Sequence, residues 1–104
     1  MENIKLITIV GFKFNDKIGV EELCSEYDDE VLLSKLTFKA EPENQYDPNA
    51  IAVYYGDRKI GHVKAAHTSI LDGYTDSCTP TKIGAAEVTK TGKLSSLDIY
   101  VTHP

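Results

Sequence analysis

The sequence predicts an all-β domain: a small closed or partly open six-stranded barrel of the OB-like or SH3-like type with one short helix. Six short β-prone runs separated by turn-rich segments predict the strands. Strands do not alternate with long helices along the chain, so a parallel sheet is not predicted. Barrel closure would also remove the unpaired edges that six strands otherwise expose. The chain has 104 residues, of which 41% are hydrophobic, so we expect a single domain over residues 1–104 with one modest core.

The N-terminal third is predicted to contain one strand followed by an acidic loop. Residues 4–10 form an apolar, β-branched run that ends at Gly11, which indicates the first strand. Residues 15–30 show no clean period, so we expect an otherwise irregular loop with a short helical turn. That turn is indicated by four residues at helical spacing: Val20, Leu23, Cys24 and Tyr27.

The second strand and an ordered turn are predicted next. Residues 31–40 place Leu32, Leu36 and Phe38 on one face and polar residues on the other, which is typical of a half-buried strand. Residues 41–49 are rich in Pro, Asn and Asp, which set or tolerate turn geometry. We therefore expect an ordered connection there.

A tight hairpin is predicted after this turn. Residues 50–55 and 58–63 are β-prone runs separated by the dipeptide Gly56-Asp57. Glycine at the first central position is typical of a type II′ turn. The sequence therefore predicts two antiparallel strands with a two-residue connection.

The C-terminal third is predicted to hold the one short helix and a closing hairpin. Residues 64–71 carry apolar side chains at helical spacing, and Gly73 follows them as a capping residue. Residues 82–90 and 94–101 flank a turn at Gly92. The second of these runs alternates cleanly, which favours a strand pair.

Charge is distributed unevenly along the chain. The net charge is -5, which argues against non-specific nucleic-acid binding, because phosphate neutralisation requires clustered Lys and Arg. Residues 15–30 hold seven acidic residues against one basic residue, leaving ten basic and nine acidic elsewhere. A local basic groove is therefore compatible with the composition. The acidic segment is equally explained as a solvated loop.

Cellular location and the state of the cysteines can also be predicted from the sequence. The apolar run at 6–10 is too short for a signal-peptide core and follows an acidic residue, so we expect a cytoplasmic protein with no membrane partner. Cys24 and Cys78 lie far apart without CxxC spacing and are expected to be free thiols.

Residues 41–63 carry the most informative pattern, EPENQYDPNAIAVYYGDRKIGHV. An acidic-Pro turn, a Tyr-Asp pair, a strand, a glycine turn and an Ile-Gly-His-Val strand follow one another. Together with Gly11-Phe12-Lys13-Phe14 after the first strand, this order closely resembles the HIRAN family. Members of that family carry a REPxNPYDxNAI-like stretch, and the resemblance covers residues 4–72.

The resemblance implies an OB-like barrel that binds DNA, in some members single-stranded ends with a free 3′-hydroxyl, in DNA repair or at replication forks. Longer members join the domain to Swi/Snf-type motors and RING zinc modules. This chain has neither a Walker-type glycine loop nor a CxxC pair, so we expect neither activity from it. A separately encoded helicase or nuclease is the corresponding candidate partner.

The resemblance also implies a set of binding residues: Lys13, Phe14, Asn44, Tyr46, Asp47, His62 and Lys64. The aromatic rings would stack on unpaired bases, and the lysines would neutralise phosphates. The Asn and His would supply hydrogen bonds. The aspartate repels phosphates, so its expected role is to accept a hydrogen bond from the hydroxyl of a strand end. The sequence departs from the family at Gln45 in place of proline, Ala40 in place of arginine, and lysine at the position of the first-strand basic residue.

Structural roles remain open for the same residues. Asp47 before Pro48 suits a turn whose carboxylate accepts backbone N–H groups. Tyr46 suits a core position, Phe14 suits a cap on the barrel, and lysines such as Lys13 and Lys64 are ordinary surface charges.

Catalysis and metal binding are not expected. Cys24, Cys78, His62 and His67 match no zinc spacing, and nothing marks an oxyanion hole beside a Cys-His-Asp set. We therefore expect no cofactor and no enzyme activity. The alternative function is a protein-interaction module in which the acidic 15–30 segment meets a basic partner.

Overall fold

The computed structural model describes residues 3–103, whose six strands form one antiparallel sheet in the order β2-β3-β4-β1-β6-β5. The strands are β1 (Asn3–Val10), β2 (Leu36–Ala40), β3 (Ile51–Tyr55), β4 (Arg58–Val63), β5 (Thr79–Val88) and β6 (Leu94–His103). Two α-helices, α1 (Lys17–Ser25) and α2 (Asp29–Lys35), separate β1 from β2. Two 3₁₀ segments, Phe12–Phe14 and Ala65–Leu71, follow β1 and β4.

The six predicted strands are present, but the sheet is open. In the described part of the chain, β2 and β5 are the two edges and do not pair with each other. The helix α2 leads directly into β2 and packs against β5. The predicted barrel closure is therefore not observed, and the helix before β2 packs against β5 in place of a strand ladder between the two edges.

The segment before β2 corrects the predicted irregular loop and shortens the predicted second strand. Residues 15–30 contain α1 and the start of α2, and α2 continues to Lys35, so that β2 has only five residues. Each helix begins at an aspartate N-cap. The Asp16 carboxylate accepts a hydrogen bond from the Gly19 N–H at 2.9 Å, and the Asp28 carboxylate accepts one from the Glu30 N–H at 2.9 Å.

The core lies between the sheet and the two α-helices. The largest fully buried side chains are on the sheet and on the second 3₁₀ segment: Ile7, Ile9, Val53, Ile60, Leu71, Ile99 and Val101. Leu23 of α1, Leu32 of α2 and Phe12 also belong to the cluster. Leu32 is thus buried as predicted, but it lies on the helix α2 and not on the predicted strand.

Both predicted hairpins are present. Tyr55 pairs with Arg58 across a two-residue connection, and Gly56 has φ of 62°. No non-glycine residue in the described chain has a positive φ, so only the first central residue is positive, as a type II′ turn requires. The closing hairpin is longer than predicted, and the predicted helix at 64–71 is a 3₁₀ helix followed by Gly73 with φ of 80°.

Cys24 and Cys78 are free thiols, and burial raises the pKa of each.

None of the helices in the described chain is long and apolar enough to cross a membrane.

Candidate nucleic-acid interface

The connection between β2 and β3, residues 41–50, is an ordered loop held by its own side chains. The Asn44 Oδ1 atom accepts hydrogen bonds from the N–H groups of Tyr46 at 2.9 Å and Asp47 at 3.1 Å. The Asp47 Oδ1 atom accepts one from the Asn49 N–H at 2.9 Å. These contacts are the Asx-turn chemistry expected of Asn and Asp, and they fix the backbone that carries Tyr46. The turn role foreseen for Asp47 is therefore present through one carboxylate oxygen.

Glu41 anchors this loop to β4. Its carboxylate accepts hydrogen bonds from Lys59 Nζ at 2.7 Å and Asn44 Nδ2 at 3.2 Å, and lies 2.8 Å from His62 Nε2. The hydrogen bond from Lys59 lowers the pKa of Glu41 from its usual 4.5 to about 2; burial opposes this shift, and the contacts of His62 and Asn44 reinforce it. One carboxylate therefore joins three side chains around the base of the loop.

Glu41 and Lys59 were not identified from the sequence as site residues. Their meeting depends on the hairpin register, in which Val53 pairs with Gly61 and Tyr54 with Lys59, so that Ile60 is an extra residue on β4. This bulge allows Lys59 and His62, three positions apart, to reach the same carboxylate. In the local sequence, only the position of Glu41, an acidic residue at the start of a turn, could have indicated that it belongs to the site.

Tyr46 and Phe14 are both exposed, which excludes the core and capping roles that the sequence left open for them. Tyr46 is 89% exposed on the 41–50 loop, and Phe14 is 79% exposed on the 3₁₀ turn after β1. Lys13 Nζ lies 4.9 Å from the centroid of the Phe14 ring, a cation–π contact. The buried Phe12 holds this turn against the core.

The two segments that carry these rings flank the same strand. Val10 at the end of β1 pairs with His62 of β4, and the Asp16 N–H donates to the Lys59 carbonyl at 2.9 Å. Residues 11–16 therefore run beside the part of β4 that anchors the 41–50 loop. The structure brings Asn44, Tyr46, Asp47 and His62 into one connected group. Lys13 and Phe14 form a neighbouring group, with no hydrogen bond or ring contact between the two among residues 3–103.

Lys64 directly follows β4, and among residues 3–103 no side-chain hydrogen bond or ion pair joins it to either group. Its N–H donates to the Thr8 carbonyl at 2.7 Å, and its side chain is exposed. The nearby His67 accepts a hydrogen bond from the Thr8 N–H through Nδ1 at 3.1 Å, so this imidazole is used by the fold. Within the described chain, no group of three His, Cys, Asp or Glu side chains is arranged to hold a metal.

Gly61 of the Ile-Gly-His-Val strand has a packing role. A Cβ atom at this position would lie 2.5 Å from the Val10 carbonyl oxygen and 3.2 Å from Ile9 Cγ2. The glycine is therefore explained by the close approach of β1 to β4.

Comparison with known proteins gives a family match and a structural match. The model of the HIRAN domain family matches residues 7–95. No curated protein matches significantly. The chain is similar in structure to a crystal structure of a protein from Lactobacillus plantarum, with a TM-score of 0.59 and 18% identity over 100% of both chains. At that identity, the similarity concerns the fold alone.

Proposed function

Because the chain belongs to the HIRAN domain family, whose members are generally nucleic-acid-binding modules, we propose that it binds single-stranded DNA at an end with a free 3′-hydroxyl. The observation that carries this proposal is the exposure of Tyr46 and Phe14 on ordered segments beside one strand. Exposed aromatic rings on a fixed backbone are suited to stacking on unpaired bases of any sequence.

Asp47 is the proposed contact to the terminal hydroxyl. One of its oxygens accepts the Asn49 N–H, and no hydrogen bond to the other is present among the described residues. That second oxygen is available to accept a hydrogen bond from a sugar hydroxyl, whereas it would repel a terminal phosphate. In this family member, Asn44 fixes the loop where Gln45 replaces the usual proline.

The test is fluorescence anisotropy with a short 5′-labelled oligonucleotide that ends in either a 3′-hydroxyl or a 3′-phosphate. We expect the hydroxyl-ended strand to bind about tenfold more tightly, because a charged hydrogen bond contributes about 1.5–3 kcal/mol. Equal affinity for the two ends would exclude end recognition, and no binding even at low salt would exclude the function.

Asp47→Asn separates the ligand role of this residue from its turn role. The amide oxygen of Asn can still accept the Asn49 N–H, but the second oxygen becomes an N–H₂ donor. We expect the preference for the 3′-hydroxyl to disappear while the melting temperature changes by less than about 3 °C. Asp47→Ala is the comparison that removes both contacts. A loss of stability in Asp47→Asn as large as in Asp47→Ala would contradict the ligand role.

Tyr46→Ala is expected to weaken binding of the hydroxyl-ended strand about tenfold, because stacking of one base contributes about 1–3 kcal/mol. The ring is exposed, so the unfolding free energy should stay within about 0.5 kcal/mol of the parent value. Tyr27, which is 100% exposed on the link between α1 and α2, provides the matched control, Tyr27→Ala. Equal losses of affinity in the two variants would argue against stacking at Tyr46.

The wider context we propose is DNA repair or replication-fork processing, with a separately encoded helicase or nuclease as partner. A domain of this kind has no motor of its own and would act by bringing a strand end to another protein. Co-purification of such an enzyme that depends on Tyr46 and on a hydroxyl-ended strand would support this context.

The structure provides local roles for most of the acidic segment, which weakens the argument for a basic protein partner. Asp16 caps α1 and forms an ion pair with Arg58, with 3.1 Å between Oδ2 and Nη1. Asp28 caps α2, and Asp29 and Glu30 occupy its first turn, where the helix dipole favours negative charge. Nucleic-acid binding therefore remains the proposed function.

A further inference from the structure

We propose that a cleft beside Phe14 binds the phosphate groups of a nucleic-acid backbone, an inference that rests on the proposed function. The cleft lies between the first 3₁₀ turn, α1 and the turn from β5 to β6, and has a volume of about 390 Å³. Its lining includes three lysines, one from each of these elements, together with apolar side chains and a single carboxylate: Phe12, Lys13, Lys17, Val20, Glu21, Lys93 and Leu94. We call it the lysine cleft.

The charge of the lysine cleft is opposite to that of the chain. Three lysines and one glutamate line the cleft, whereas the whole chain has a net charge of -5. Among residues 3–103, the ion pairs involve Arg58, Lys59 and His62, and none involves a lysine of the cleft. Three lysines against one carboxylate leave an excess of positive charge, and an anion in the cleft would reduce the repulsion among the lysines.

Lys17 lies at a helix N-terminus, where the helix dipole disfavours a positive charge. It is the first residue of α1, and the first turn of this helix contains no acidic residue. The helix dipole disfavours a positive charge at that end by about 0.3–1 kcal/mol. The Asp16 carboxylate already accepts the Gly19 N–H at this end, so a bound phosphate would be held by the charge of Lys17 and not by the helix N-terminus.

The other two lysines are held in place by their segments. The Lys93 carbonyl accepts a hydrogen bond from the Thr89 N–H at 2.7 Å, and the Lys93 N–H donates to Thr89 Oγ1 at 3.2 Å, so the turn is closed. Lys13 both lines the cleft and contacts the Phe14 ring. A strand with one base stacked on Phe14 would therefore bring its neighbouring phosphate to Lys13, and the following phosphates to Lys17 and Lys93.

The test compares two double variants that each remove two positive charges. Lys17→Gln/Lys93→Gln acts in the cleft, and Lys5→Gln/Lys82→Gln changes exposed lysines on β1 and β5 outside it. Anisotropy is measured over a range of salt with a thymidine decamer and a thymidine trimer, both ending in a 3′-hydroxyl. We expect the cleft variant to bind the decamer about tenfold more weakly at low salt. The plot of the logarithm of its association constant against the logarithm of the salt concentration should become less steep by about 1.4, since each phosphate contact on a single strand contributes about 0.7.

Three results would overturn the proposal, and each has a different meaning. If wild-type protein prefers the 3′-hydroxyl but both double variants have the same salt slope, the cleft is not on the strand path and the proposed function stands. If wild-type protein binds neither oligonucleotide, both inferences fail. If inorganic phosphate shifts the Lys17 and Lys93 amide resonances in an NMR titration while the decamer does not, the cleft takes a small anion instead. Weakened decamer binding with an unchanged trimer would support the assignment, because a trimer has only two internucleotide phosphates and we expect a strand held at its 3′ end to need more of them to occupy the cleft.

Discussion

Gly61→Ala is expected to destabilise the domain by about 2–3 kcal/mol, which corresponds to a fall in melting temperature of about 10–20 °C. The added methyl group would lie 2.5 Å from the Val10 carbonyl oxygen, and a backbone atom cannot rotate away as a side chain can. Relief requires β1 and β4 to separate. Only two residue pairs, Ile9 with Val63 and Val10 with His62, join these strands in the described sheet.

This small junction is the reason for the large expected effect. It connects the β2-β3-β4 half of the sheet to the β1-β6-β5 half, so any loosening there weakens both halves. It also holds Val10 beside His62. Val10 precedes the turn that carries Lys13 and Phe14, and His62 contacts Glu41, which anchors the 41–50 loop. Thermal unfolding followed by circular dichroism measures the loss directly.

Gly73→Ala is the control for this prediction. Gly73 has φ of 80°, and a methyl group added there would have nothing within 4 Å, so alanine meets backbone strain without a steric clash. We expect a cost of about 1–2 kcal/mol. If Gly61→Ala is no more destabilising than Gly73→Ala, the close approach of the two strands is not what requires glycine in this motif.

Turn chemistry made the hairpins predictable from the sequence. Gly56 and Gly92 lie at the β3–β4 and β5–β6 turns, and the alternation of β6 is visible without any knowledge of its partners. The helix α2 was missed because residues 31–40 also alternate, and Leu32 is buried whether the segment is a strand or a helix. Its start was nevertheless encoded locally, by Asp28 as N-cap followed by two acidic residues.

The candidate site was predictable only where its contacts are local. Asn44, Tyr46 and Asp47 are linked by hydrogen bonds that span two or three residues, and a turn-rich segment indicates such a loop. Glu41 and Lys59 are 18 residues apart and meet only through the bulged register of β3 and β4. The lysine cleft likewise joins three elements that no spacing rule connects.

Glu41→Gln is expected to lower the unfolding free energy by about 1–2 kcal/mol at pH 7. A carboxyl group whose pKa falls from 4.5 to about 2 on folding contributes at most about 3–4 kcal/mol, at 1.36 kcal/mol per unit. The Glu41 side chain is 23% exposed, so solvent screening reduces this contribution. The amide keeps the shape of the side chain, but it presents no negative charge to Lys59.

The pH dependence identifies the carboxylate as the source of this stability. Because folding lowers the pKa of Glu41, its contribution is complete above about pH 5.5 and is lost as the pH falls from about 5 towards 2. Urea unfolding of the wild-type protein and of Glu41→Gln should therefore differ by about 1–2 kcal/mol at pH 7 and by less than half of that at about pH 3. Glu43→Gln, an exposed carboxylate on the same loop, is the control and should match the wild-type protein at both pH values. A constant difference between wild-type protein and Glu41→Gln at the two pH values would mean that shape, and not charge, makes Glu41 the anchor of the loop that presents Tyr46 and Asp47.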